Sequence, residues 1–160
     1  MLAVAAQLVV IYVDFGGAED LRRFVFPTSY ALLLAFVILN RRRLGFLIIG
    51  AGMLLNFLAI VGNGGLMPIS PTNVEKVGLG DEIAAQDVGD AVPRSKNVLL
   101  EESDTNLQWL TDRFTWDSPG PFSVFSIGDV IIAAGLAVIL VELVLPLIAR
   151  GTSRDRPPLT

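Results

Sequence analysis

Long apolar stretches are the strongest pattern in this sequence. Residues 24–39, 45–61 and 130–148 are almost entirely apolar, and together they hold a single charged side chain, Glu142. The hydrocarbon core of a bilayer is about 30 Å thick, so a helix that crosses it needs ~20 mostly apolar residues. The three stretches are too long and too uniformly apolar for the half-buried helices of a soluble domain. The pattern therefore predicts three membrane-spanning helices.

A fourth apolar stretch, at residues 2–13, is shorter and would rise only about 18 Å as a helix. It lacks the basic region and the small-residue cleavage site of a secretory signal, and Asp14 closes it. It is either a short or tilted first span, or the end of a helix that begins upstream. We favour the span. The predicted fold is then all-α, a polytopic membrane protein of one domain over residues 1–160, with about four transmembrane helices.

Arginines indicate the orientation, because cytoplasmic flanks of membrane spans are rich in Lys and Arg. Residues 41–43 are three arginines, and the tail at 150–160 holds three more. The segment 63–128 has ten acidic and four basic residues, a net charge of −6. We therefore predict a long extracytoplasmic loop at 63–128, a cytoplasmic tail, and both termini of a multi-pass cell-membrane protein in the cytoplasm. Arg22 and Arg23, which this topology places outside, run against the rule.

Composition narrows the classes of function. The chain is 52% hydrophobic and only 18% charged, whereas soluble domains are near 25% charged. It has no cysteine and no histidine, which excludes disulfides, thiolate zinc sites and histidine-based triads. The net charge of −4 argues against a nucleic-acid partner. We predict no metal and no cofactor, and expect membrane lipid and possible membrane-protein partners.

Two smaller patterns concern helix contacts and the loop. Gly128 and Gly135, seven residues apart on one face of the last span, have a spacing that lets helices approach closely. Trp109 and Trp116 suit a membrane interface, where an indole can bury its ring and keep its N–H hydrated. Residues 106–114 are either a short helix on the membrane surface or part of a small extramembrane cap packed on itself.

Three blocks of sequence resemble an uncharacterised family of small bacterial multi-pass membrane proteins, catalogued as a domain of unknown function. They are GNGGLMPI at 62–69, LQWLTDR at 107–113, and FSIGDV at 125–130 with Gly135 after it. The resemblance covers roughly residues 41–147. It implies membrane location and topology, and no known activity.

A weaker resemblance is to lipoprotein signal peptidase, which has an Asp-Arg pair before its last span and an F-N-x-A-D motif at the start of that span. Asp112-Arg113 and residues 125–129 stand in those places here, but Ser126 and Gly128 replace the Asn and the Ala. This resemblance implies an intramembrane aspartic hydrolase acting on a lipid-anchored or membrane peptide substrate.

Asp112 and Asp129 are the candidate catalytic residues. Two carboxylates held close together cannot both ionise, so one donates a proton while the other accepts one from water. We expect Asn63 and the backbone of Gly64 and Gly65 to add hydrogen-bond donors beside them as a binding element.

A structural interpretation competes with catalysis, and we favour it. Asp129 or Ser126 would cap the last helix, and Asp112 would form a local salt bridge with Arg113, another candidate binding residue. Glu142 lies ~20 Å deeper than Asp129 along a helix, where a charge costs at least ~2.5–3.5 kcal/mol. It is expected to hydrogen-bond Asn40 or residues 41–43 between helices, or to form a proton or ion site. The sequence thus favours a structural or accessory membrane protein, with the aspartic hydrolase as the alternative.

Overall fold

The structure is a computed structural model that describes residues 18–78, 80–93, 95–116 and 124–154. The candidate span at residues 2–13 lies outside the described residues, as does the end of the tail from residue 155 onward.

Three long helices account for most of the described structure. Each contains a stretch of 19 residues that is long and apolar enough to cross a membrane. The three stretches are Leu21–Leu39, Leu44–Gly62 and Ile127–Leu145. Their outward faces carry large exposed apolar side chains, among them Leu32, Phe36 and Leu140, as expected of surfaces that contact lipid. The prediction of three spans at these places is confirmed in length and composition. The helices are α1 (Ala18–Leu39), α2 (Leu44–Gly62) and α5 (Ile127–Arg154).

Within the described residues helix α1 already runs from Ala18, six residues before the predicted span, so that Arg22 and Arg23 are helical. The hydropathy pattern stopped at these charges. Pro27 lies inside this helix, where it cannot donate a hydrogen bond to the carbonyl of Arg23. Gly65, at φ 97°, packs directly against that carbonyl, and a Cβ at this position would collide with it. Only glycine combines this backbone conformation with so close an approach.

Helices α2 and α5 pack backbone to backbone through facing glycines. A Cβ placed on Gly52 would lie 2.5 Å from the carbonyl oxygen of Gly128, and one on Gly135 would lie 2.9 Å from the carbonyl oxygen of Gly45. Since real Cβ atoms do not come so close to backbone, larger residues here would force the helices apart. The helix contact predicted from the spacing of Gly128 and Gly135 is confirmed.

Between α2 and α5 the described residues, 63–78, 80–93, 95–116 and 124–126, fold into a small unit that we call the cap. Its strands are too short to show an alternating pattern, which is why the all-α prediction missed them. A hydrophobic cluster within the cap gathers residues from several of its segments: Ile69, Val74, Ile83, Val92 and Leu99. The cap elements are β1 (Met67–Ile69), α3 (Pro71–Lys76), α4 (Gly80–Ile83), β2 (Asn97–Leu99), β3 (Phe114–Thr115) and β4 (Val124–Phe125).

Strand pairing brings distant parts of the cap together. Strands β1 and β2 are parallel, with Met67 opposite Asn97, and β3 and β4 are antiparallel. Ile69 also forms a bridge to Asp112. Of the two alternatives for residues 106–114, the short surface helix does not form, because this segment holds only one 3-10 turn, Gln108–Leu110.

A second hydrophobic cluster joins the cap to the helices. It combines side chains of α1 and α2, such as Phe26 and Ile60, with Leu66, Met67 and Val98 of the cap. Ile60, Leu66 and Met67 have no exposed surface. The cap is therefore packed on one end of the helix bundle, where α1 begins, α2 ends and α5 begins.

Candidate functional site

The start of α5 is fixed by a reciprocal pair of hydrogen bonds. The backbone N–H of Asp129 donates to Ser126 Oγ at 3.0 Å, and the backbone N–H of Ser126 donates to Asp129 Oδ2 at 3.0 Å. This is a capping box, in which two residues three apart satisfy each other's free N–H groups. The capping role expected for Ser126 and Asp129 is therefore present.

Asn56 connects this capping box to helix α2. Its Nδ2 donates to Asp129 Oδ1 at 2.8 Å, and its Oδ1 accepts from Ser126 Oγ at 2.8 Å. The side chain has no exposed surface, so an unpaired amide here would cost free energy. Asn56 therefore sits in the apolar span because α5 supplies both of its partners.

Asp112 approaches the same place from the cap. Its backbone N–H donates to the carbonyl of Pro68 at 3.3 Å, which places its side chain beside β1 and β2. Asn97 Nδ2 donates to Asp112 Oδ2 at 2.8 Å and to the carbonyl of Met67 at 3.2 Å. The side chain of Asp112 is only 1% exposed.

Lys96 bridges the two aspartates. Its Nζ lies 3.2 Å from Asp112 Oδ2 and 3.5 Å from Asp129 Oδ2, and its side chain is 27% exposed. The fold thus brings Asp112 and Asp129, the candidate catalytic pair, together around a cation. We call this cluster the polar junction; its members are Asn56, Lys96, Asn97, Asp112, Ser126 and Asp129.

Burial and charge act against each other within the junction. Burial disfavours the ammonium of Lys96, but the carboxylates of Asp112 and Asp129 outweigh it and raise the pKa of this lysine above its ordinary value. Lys96 is therefore charged at neutral pH. Burial raises the pKa of the Asp112 carboxyl, while the Lys96 ammonium and the Asn97 amide act in the opposite direction.

Every carboxylate oxygen of the junction accepts a hydrogen bond. Asp112 receives donors from Lys96 on Oδ1 and from Asn97 on Oδ2. Asp129 Oδ1 accepts a hydrogen bond from the Asn56 amide. Asp129 Oδ2 accepts from the Lys96 ammonium and from the backbone N–H of Ser126. A catalytic dyad instead needs two carboxyls that share a proton and an activated water. The arrangement is that of a satisfied polar network, which rigidifies the packing around it.

The other predicted site residues are placed elsewhere. Asn63 Nδ2 donates to the carbonyls of Ala59 at 2.7 Å and of Asn106 at 2.8 Å, while its Oδ1 accepts from the Asn106 N–H. The N–H of Gly65 donates to the carbonyl of Ile60, and the carbonyl of Gly64 accepts from Arg23. These groups hold the end of α2 and the start of the cap. Their predicted binding role stays a prediction.

Arg113 and Glu142 have partners different from those expected. The guanidinium of Arg113 lies 4.4 Å from the ring centre of Trp109. Asp112 pairs with Lys96 and not with Arg113, which was the expected partner. Glu142 Oε1 accepts from the backbone N–H of Leu44 at 3.1 Å. The hydrogen bond predicted between helices is present, but it goes to the free N-terminus of α2, where the helix dipole favours a carboxylate.

Sequence reasoning missed the roles of Lys96 and Asn97. The only signal was a lysine in a strongly acidic segment, a pattern that also fits a solvated surface. Within the ranges that the structure describes, no group of three or more acidic residues could hold a metal ion.

Comparison with known families identifies the chain only at the level of its family. A model described as a family of unknown function (DUF5317) matches residues 1–141. Since this is most of the chain, the chain belongs to that family. No curated protein and no solved structure matches it.

Proposed function

We propose that this member of the family is a structural or accessory membrane protein, and that the polar junction fastens its cap to the helix bundle. The observation that supports this is the bridging of Asp112 and Asp129 by Lys96, at 3.2 and 3.5 Å. One carboxylate belongs to the cap and the other begins α5, so the lysine ties the two parts together. Asn56 adds a third attachment from α2. The cap would then be a rigid surface offered to another membrane protein.

The aspartic hydrolase remains the second candidate. Two observations favour it. Asp112 and Asp129 both lie next to Lys96, and burial raises the pKa of the Asp112 carboxyl. A charged lysine between the carboxylates works against it, because the lysine removes the mutual repulsion that makes two carboxyls share a proton. The two candidates predict different behaviour of the same variants.

Asp112→Asn and Asp129→Asn test the two candidates. If the junction is structural, both variants lose part of the ion-pair network, and we expect the free energy of unfolding to fall by about 1–3 kcal/mol. The measurement is thermal unfolding in detergent, with limited proteolysis of the cap. Asp81→Asn, at an exposed position, is the matched control and should change little. Wild-type stability in both variants, with loss of cleavage of a lipid-anchored peptide, would instead establish the hydrolase.

We also propose that the protein has four spans, including residues 2–13, that the cap is extracytoplasmic, and that both termini are cytoplasmic. The contacts of Arg22 and Arg23 remove the objection raised by their charge. Arg22 donates to the carbonyl of Val92, and Arg23 donates to the carbonyls of Gly64 and Gly89. These arginines therefore have a structural reason to lie on the same side as the cap.

Cysteine labelling tests this orientation, because the chain has no native cysteine. Ala85 is exposed in the cap, and Arg42 is exposed in the turn between α1 and α2, at the other end of these helices. Each is replaced by cysteine in a separate variant, Ala85→Cys or Arg42→Cys. A membrane-impermeant maleimide added to intact cells should label Ala85→Cys, and should label Arg42→Cys only after the cells are opened. The reverse pattern would overturn the orientation.

A further inference from the structure

The loop of residues 106–110 presents apolar side chains to the outside of the cap. Leu107 is 51% exposed and Trp109 is 70% exposed. Exposed residues of this size cost free energy in water, at roughly 25 cal/mol for each Å² of apolar surface. Their exposure therefore points to an apolar or interfacial surrounding.

This loop is fastened to the end of a membrane span. Asn106 exchanges two hydrogen bonds of 2.8 Å with the side chain of Asn63, and its own side chain donates to the carbonyl of Gly62 at 3.1 Å. Gly62 is the last residue of α2. The 3-10 turn Gln108–Leu110 also contacts both α2 and α5. The loop therefore lies beside the ends of two candidate membrane spans, the last residue of α2 and the first turns of α5.

The backbone of the loop is held in an unfavourable conformation. Leu107 has φ 52° and ψ 41°, in the left-handed region that L-residues other than Asn, Asp and Gly seldom adopt. Such a conformation persists only when neighbouring contacts fix it, and here the bonds between Asn106 and Asn63 do so. The strain is maintained at the point where the chain turns Leu107 outward beside α2.

We infer that Leu107 and Trp109 insert into the boundary between headgroups and acyl chains of the bilayer that surrounds the protein's own helices. An indole suits this depth, since its ring is apolar and its N–H stays hydrated. The guanidinium of Arg113 lies 4.4 Å from the ring centre of Trp109, and this cation–π contact holds the ring in place. The partner of this surface is lipid, and the loop fixes the height and tilt of the cap on the membrane.

Tryptophan fluorescence tests the inference directly, because Trp109 and Trp116 are the only two tryptophans in the chain. Trp116→Phe leaves Trp109 as the single emitter. The full chain is reconstituted in phosphatidylcholine vesicles whose acyl chains carry bromine either near the carbonyl groups or near the chain ends. We expect strong loss of Trp109 emission with the shallow bromines, smaller loss with the deep ones, and weak quenching by aqueous iodide.

The matched control is Ala85→Trp in a chain that also carries Trp109→Phe and Trp116→Phe. Its emission should be quenched by iodide and not by brominated lipid. If Trp109 behaves like this control, the inference is overturned. It is also overturned if neither quencher acts. A change in the emission on dilution with lipid would then show that a second copy covers the loop. The inference rests on the proposed placement of the helices in the membrane, which the labelling at Ala85 and Arg42 tests separately.

Discussion

Lys96→Met is expected to cause the largest loss of stability among single substitutions in the polar junction. It leaves Asp112, whose side chain is 1% exposed, without its cation, and it leaves two carboxylates facing each other. Removing one partner of a buried ion pair costs about 3–5 kcal/mol, because the other charge remains desolvated and uncompensated. We expect this loss in the free energy of unfolding, measured by thermal unfolding in detergent, together with rapid proteolysis of the cap.

Two further variants separate this effect from a general loss of charge. Lys76→Met removes the other lysine of the chain, which is exposed on α3, and should stay within about 0.5 kcal/mol of wild type. Adding Asp112→Asn to Lys96→Met should recover part of the stability, because residues in one network are coupled. Equal stability of Lys96→Met and Lys76→Met would contradict the role assigned to Lys96.

Gly52→Ala should separate the two most closely packed helices. The new Cβ would lie 2.5 Å from the carbonyl oxygen of Gly128 and 2.9 Å from the backbone N of Ile132, so α5 must move away from α2. Overpacking of this kind costs about 1–3 kcal/mol. Since Asn56 bonds to Asp129 across the same contact, we also expect the cap to be cut faster by protease. Thermal unfolding and limited proteolysis measure the two effects.

Gly62→Ala is the matched control on the same helix. A Cβ there meets its nearest atoms at 3.7 and 3.9 Å, which is ordinary contact. Alanine favours a helix over glycine by up to about 1 kcal/mol, so this variant should be as stable as wild type or slightly more so. If Gly52→Ala is equally well tolerated, the close contact between α2 and α5 does not hold the bundle together.

The spans could be predicted from the sequence because a bilayer imposes a local rule. A helix satisfies its own backbone hydrogen bonds, so length and apolarity identify a span without knowledge of any neighbour. The same rule did not predict the turns of α1 that contain Arg22 and Arg23. These arginines end the apolar pattern, yet they are helical and donate to the carbonyls of Val92, Gly64 and Gly89 in distant parts of the chain.

The candidate site could be predicted only in part. Asp112 and Asp129 were chosen as a pair from chemistry and from the resemblance to a peptidase, and the fold does bring them to the same lysine. Capping of α5 by Ser126 or Asp129 was predicted from their position at the start of the last span, and the structure shows that both take part in it. Lys96 and Asn97 gave no local signal, because their partners come from other segments of the chain.

The sequence by itself determined the three apolar helices, the glycine face of the last span that lets another helix approach closely, and the excess of acid in the segment before that span. These properties depend on residues near one another along the chain. Only the tertiary structure decided that Lys96 stands between the carboxylates and that short strands build the cap. It alone also gave Glu142 its partner, the N-terminus of α2. Such contacts join residues 16 to 98 positions apart, and a chain's local pattern does not encode which distant group will satisfy a buried charge.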